Sequence, residues 1–105
     1  MVKEDKSPAV RITNQFHDRL ATIYELKCDS VRLSIAITGK SGDPECRAQA
    51  TAKALPEPLV ATGVGPTRGD AFLALREAWS TQPDNSFPWV DWEAIRVALA
   101  AVRAI

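Results

Sequence analysis

Cysteine, histidine and net charge are all scarce in this chain of 105 residues. The two cysteines, Cys28 and Cys46, are too few for a disulfide framework, so we predict that both are reduced structural thiols. A single histidine, His17, argues against a zinc site, and we predict no metal and no cofactor. Thirteen basic residues balance thirteen acidic ones, so no overall field draws the protein to nucleic acid or anionic lipid.

Long apolar runs are also missing. No segment approaches the roughly 20 apolar residues that span a membrane, and the charged start of the chain lacks the apolar core of a signal peptide. The sequence therefore predicts a soluble, cytoplasmic protein with no membrane partner. Its hydrophobic content of 46% suffices for one core, so we predict a flexible tail at 1–8 and a single domain over 9–105.

Alternating hydrophobicity predicts three strands. Residues 31–38 alternate apolar with polar side chains, residues 46–54 alternate small apolar side chains, mainly alanine, with polar ones, and residues 59–62 form a short apolar run. The alanine face leaves space that bulky side chains must fill. The segment 15–28 carries an apolar stripe at helical spacing, so we predict a helix there, with a strand as the alternative.

A glycine-rich turn leads into the strongest amphipathic pattern of the chain. Thr67 can cap a helix that starts at Arg68 and ends near Thr81, and Asp70 suits its first turn. Phe72 and Trp79 lie on the apolar stripe of this helix, and we predict that they fill the space above the alanine strand.

A final helix is predicted over 91–104, with Asp91 as its cap. The predicted order is helix, three strands, helix, helix. This order favours an α+β two-layer sandwich in which a three-stranded antiparallel sheet packs on helices.

The final helix is apolar around most of its circumference, so it needs partners on more than one side. Its own domain and a second copy of the chain are both candidates. We predict a non-catalytic module that binds a protein partner or forms a homodimer. The candidate interface residues are Trp89, Trp92, Ile95, Leu99 and Val102.

Basic side chains support a second hypothesis, the weak binding of RNA or another polyanion. Arg32, Arg47 and Lys53 share the outward face of the predicted hairpin, with no acidic residue among them. Arg68 lies beside the free N–H groups of a helix start, which can hold an anion. An enzyme ranks third, since we find no catalytic partner for His17 or for any carboxylate.

Residues 63–72 resemble the start of the last helix in double-stranded-RNA-binding domains. The sequence Gly-Val-Gly-Pro-Thr-Arg-Gly-Asp-Ala is similar to the family pattern Gly-x-Gly, Ser/Thr, two lysines, an acidic residue and alanine. The resemblance implies the order helix, three strands, helix and a role in binding RNA. Arg68 keeps the first of the RNA-contacting charges, whereas Gly69 and Phe72 stand where further lysines occur.

The same segment is also similar to the helix of HicB-type antitoxins, which reads Thr-x-x-Glu-Ala-Leu before an Arg-Glu-Ala-Leu ending. Here Thr67 precedes Asp-Ala-Phe at 70–72 and Arg-Glu-Ala-Trp at 76–79. That family begins with a strand. A helix over 15–28 would therefore favour the RNA-binding-like fold, and a strand would favour the antitoxin-like fold.

Overall fold

A computed structural model describes residues 10–18, 20–28, 31–39, 45–52, 58–82 and 90–105. These residues form five strands followed by two helices. The strands are β1 (Val10–Asp18), β2 (Ala21–Cys28), β3 (Val31–Thr38), β4 (Cys46–Ala52) and β5 (Leu59–Gly65). The helices are α1 (Arg68–Ser80) and α2 (Trp92–Ala101). The predicted tail at 1–8 lies outside the described residues.

The strands form one antiparallel sheet in the order β1-β2-β3-β4-β5, so each strand pairs with its neighbours in the chain. Such a meander needs only short connections between consecutive strands. The register of β1 against β2 shifts between Ile12 and Asn14, which marks a β-bulge in the first edge strand.

The prediction of a helix over 15–28 is wrong, and so is the three-stranded sheet. β1 and β2 replace that helix and extend the sheet to five strands, while the α+β class with helices packed on a sheet is confirmed in outline. The apolar residues that suggest a helical stripe lie in different elements of the structure. Phe16 and Ile23 are paired across β1 and β2, and Leu20 lies in the turn with 86% of its surface exposed.

One face of the sheet forms the core. Its buried side chains from the three middle strands are Tyr24, Leu26, Cys28, Leu33, Ile35, Ile37, Cys46, Ala48, Ala50 and Ala52. Helix α1 lies over β4 and β5. Phe72 and Trp79 are buried on the side of α1 that faces the core.

The glycine turn is shaped by the close approach of α1 to β5. A Cβ on Gly63 would collide with the backbone of Leu75 and Ala71, and one on Gly65 would lie 2.6 Å from the Cβ of Asp70. Thr67 caps the helix, since its Oγ1 accepts a hydrogen bond of 3.0 Å from Asp70 N. The absence of a side chain at these two glycines therefore lets α1 pack closely against β5.

Helix α2 spans fewer residues than the predicted 91–104 and packs beside α1 and near β1. Asp91 caps it as predicted, with Oδ1 accepting from Ala94 N at 3.0 Å. The Trp92 ring contacts Phe72 and Trp79 edge-on, at centroid distances of 5.6 and 5.5 Å. Within the described residues, no helix combines the length and the apolarity that crossing a membrane requires.

Candidate functional site

Both helices cover the same face of the sheet, and no described element covers the opposite face, here called the outer face. The side chains of the outer face alternate with the buried ones along each strand, as in β2, where Glu25 and Lys27 alternate with Leu26 and Cys28. Because the core occupies the other face, the outer face is the face of the sheet whose side chains can contact a ligand.

A row of three basic side chains crosses one end of the outer face. Arg11 on β1 is opposite Lys27 on β2, and Lys27 is opposite Arg32 on β3. All three are exposed, and none forms an ion pair with another described residue. Like charges directly opposite one another destabilise a sheet. We call this set the basic row, and an anion lying across it would relieve the repulsion.

The other end of the outer face has a cleft of about 760 Å³ that holds two more arginines. Arg47 and Arg68 line it together with His17, Thr38 and Gln49. Arg47 is exposed and forms an ion pair in which its Nη2 lies 3.8 Å from Glu45 Oε2, whereas Arg68 is half-buried. Arg68 is the first residue of α1, and the glycine turn that precedes α1 places it beside the cleft.

Apolar side chains lie between the two cationic ends. Phe16, Ile23 and Ala36 are opposite one another across β1, β2 and β3, and we call them the apolar row. The Phe16 side chain is 40% exposed. Sequence reasoning missed this outward aromatic side chain because it placed Phe16 in a helix, and the alternation over 20–26 is too mixed to decide for a strand.

A shallow depression of about 360 Å³ separates the basic row from the apolar row. Lys27, Arg32, Ser34 and Thr51 line it, so it combines cations with hydroxyl groups. Glu25 also lines it, and its Oε1 accepts a hydrogen bond of 3.4 Å from Asn14 Nδ2. This carboxylate lowers the positive potential at the middle of the face, as Glu45 does in the cleft, so the attraction for anions is strongest at the basic row.

The predicted polyanion contacts are therefore divided between two places. Arg32 belongs to the basic row, whereas Arg47 and Arg68 share the cleft at the other end. Arg47 is opposite Thr38, and Thr38 follows Arg32 on β3 by six positions, or about 20 Å along the strand. Lys53 lies outside the described residues.

The predicted protein interface is mostly inside the domain. The exposed fractions of Trp92, Ile95 and Leu99 are 6%, 0% and 0%. A partner could therefore contact them only if α2 detached from the domain. Val102 is 43% exposed and remains accessible. Trp89 lies outside the described residues. The three buried side chains account for part of the apolar circumference of α2, which packs near α1 and the sheet.

Titratable groups give no obvious reactive centre in the described part of the chain. It contains no group of three or more His, Cys, Asp or Glu side chains that could hold a metal ion. Cys28 and Cys46 are buried thiols on β2 and β4. The clearest pKa shift concerns Glu93, far from the outer face, whose pKa is lowered because Arg96 donates hydrogen bonds to it.

The fold and the outer face together define a small α+β protein. It has a five-stranded meander with two helices on one face and cationic groups at both ends of the other. No protein-family model, no curated protein and no solved structure matches the chain. The resemblances to double-stranded-RNA-binding domains and to HicB-type antitoxins therefore stay predictions.

Proposed function

We propose that this protein is a non-catalytic module that binds single-stranded nucleic acid on the outer face of its sheet. The observation that carries the proposal is the basic row, in which Arg11, Lys27 and Arg32 are adjacent and lack ion-pair partners among the described residues. Their mutual repulsion is a cost that a phosphate backbone would offset. Binding would be local, since the whole chain has no net charge.

The apolar row favours a single strand as the ligand. A partly exposed aromatic ring such as Phe16 can stack on a base, and bases are accessible for stacking only when they are unpaired. Ser34 and Thr51 add hydroxyl groups that can donate to base edges or sugar oxygens. Cations at the ends and an aromatic side chain between them are the combination that single-strand binding uses.

The spacing suggests how the ligand would lie. The basic row and the cleft with Arg47 and Arg68 are about 20 Å apart along β3, so a strand running parallel to β3 would place phosphates over both ends. Its bases would then lie over the apolar row, where Phe16 is exposed. Glu25 would face base edges, because a phosphate beside it would be repelled.

Removing charge from the basic row is the first test. We expect the double variant Arg11→Gln/Arg32→Gln to weaken binding of a fluorescently labelled single-stranded oligonucleotide at low salt. The slope of log K against log salt concentration is negative, and its magnitude should decrease by about 1.4, or roughly 0.7 for each lost phosphate contact. Fluorescence anisotropy at several salt concentrations measures both quantities.

The matched control removes the same charge from the helical side of the molecule. Arg76 and Arg103 are exposed there, and Arg76→Gln/Arg103→Gln changes the net charge equally. We expect this variant to keep the affinity and slope of the parent protein. Equal losses in both double variants, or no binding by the parent protein, would contradict the proposal. Polyglutamate competing as well as the oligonucleotide would point instead to an acidic protein partner.

Phe16 provides a test that is independent of charge. We expect Phe16→Ala to weaken oligonucleotide binding by roughly 5-fold to 150-fold, since stacking on an aromatic side chain contributes about 1–3 kcal/mol per base. The control is Leu73→Ala on the helical side, where the side chain is 54% exposed. Unchanged affinity in Phe16→Ala would show that the apolar row is not the platform. Thermal melting checks that both variants fold.

A further inference from the structure

The two edges of the sheet differ in their protection. The β1 edge is bulged and carries charged side chains such as Arg11 and Asp18, which are features that prevent edge-to-edge pairing. The β5 edge has the sequence Leu-Val-Ala-Thr-Gly-Val-Gly, without charge or proline. Its Val60 and Val64 side chains are 40% and 43% exposed on the outer face. Within the described part of the chain, no further strand pairs with the β5 edge, so this edge can serve as a template for another strand.

A single hydrogen bond shows which main-chain groups face this edge. Gln82 Nε2 donates to the carbonyl oxygen of Val60, which therefore points away from β4. Because these groups alternate in direction along a strand, those of Thr62 and Val64 point the same way. Among the described residues, Gln82 is the only side chain that hydrogen bonds to the β5 edge.

We propose that the β5 edge pairs with the β5 edge of a second copy of this chain, antiparallel and centred on Thr62. In this register Thr62 is opposite Thr62 of the second copy and exchanges both main-chain hydrogen bonds with it. Val60 is then opposite Val64 of the second copy, so exposed valines cover one another on the outer face. Since β5 has no charge, no electrostatic repulsion opposes the pairing of two identical strands.

The flank of α1 permits the same approach. Phe72 and Arg76 face α2, through the contact with the Trp92 ring and an Nη1–Oε1 distance of 4.0 Å from Arg76 to Glu93. At 100° per residue, Ala74 and Ala78 lie on the opposite side of α1, above the β5 edge. Their small side chains leave space beside α1 for the helix of a second copy.

The expected contact between the two copies is small. The side wall formed by β5 and α1 is about 23 Å long and about 20 Å high, which gives roughly 500 Å² per copy. This area is at the low end for specific interfaces, so we expect a reversible dimer with a Kd in the micromolar range. Pairing would join the two outer faces into one continuous surface of ten strands, beyond what one copy offers to a ligand.

Sedimentation velocity over a range of protein concentrations, without nucleic acid, tests the dimer separately from the proposed function. We expect the parent protein to shift from monomer to dimer. Thr62→Lys and Thr62→Glu should each weaken the dimer by about tenfold or more, because like charges then meet at the two-fold axis. An equimolar mixture of the two variants should restore dimerisation, since a lysine meets a glutamate at that axis only in the heterodimer.

Two further variants complete the test. Gln49 is exposed and lies opposite Thr62 on β4, so Gln49→Lys adds the same charge one strand away from the edge and should leave the dimer intact. Gln82→Ala frees the Val60 carbonyl and should strengthen the dimer. A parent protein that stays monomeric at all concentrations overturns the proposal, as does a mixture of Thr62 variants that fails to associate. Thermal melts establish that each variant is folded.

Discussion

Gly63→Ala is expected to lower the free energy of unfolding by about 3 kcal/mol or more, since overfilling a packed core commonly costs about 1–3 kcal/mol and here the obstruction is rigid. A Cβ at this position would collide with the backbone of Ala71 and Leu75, and main-chain atoms within a helix cannot move individually. The whole of α1 would have to rise from β5. Chemical denaturation measures the loss, and a fall in melting temperature of roughly 12–24 °C should accompany it.

Gly69→Ala is the matched control for this prediction. Gly69 lies in the first turn of α1, where a new Cβ would meet only Thr67 Oγ1 at 3.8 Å, an ordinary contact. Alanine favours the helix over glycine, so we expect a gain of about 0.5–1 kcal/mol. The same substitution should thus have opposite effects six residues apart. Similar stabilities for the two variants would contradict the inference that α1 packs too closely on β5 to admit a side chain at Gly63.

Local patterns were sufficient to predict β3, β4 and α1. Each has one buried face with a regular period, such as Leu33, Ile35 and Ile37 on β3, and α1 has its cap at Thr67. No such regularity exists around β1 and β2. Apolar side chains lie there on both faces of the sheet, with Phe16 and Ile23 on the outer face, so neither a strand period nor a helix period stands out.

The basic row is not predictable from the sequence for a different reason. Arg11, Lys27 and Arg32 come from three strands, and they become neighbours only through the pairing register of β1, β2 and β3. A shift of one residue would send Lys27 to the core face and disperse the row. Of these three residues, the sequence predicts Arg32 alone as a candidate, because its pattern indicates β3 but not the two strands before it.

Phe72→Ala is expected to lower the free energy of unfolding by about 3–5 kcal/mol, as is usual when a buried aromatic side chain is truncated. The Phe72 side chain is 1% exposed and contacts Trp92 edge-on, so its loss would leave a cavity between α1, α2 and the sheet. Leu73→Ala, at the next and 54% exposed position, should cost less than about 1 kcal/mol. Urea denaturation followed by tryptophan fluorescence compares the two variants.

The concentration dependence of this loss separates the two roles considered for α2. If Trp92, Ile95 and Leu99 belong to the core of their own domain, the cost of Phe72→Ala is the same at every protein concentration. If α2 instead met a second copy, the stability of the parent protein would rise with concentration, and the variant would lose that dependence. We expect the first result when both proteins also carry Thr62→Lys, which removes the β5 contact, because Trp92, Ile95 and Leu99 are already buried within their own domain.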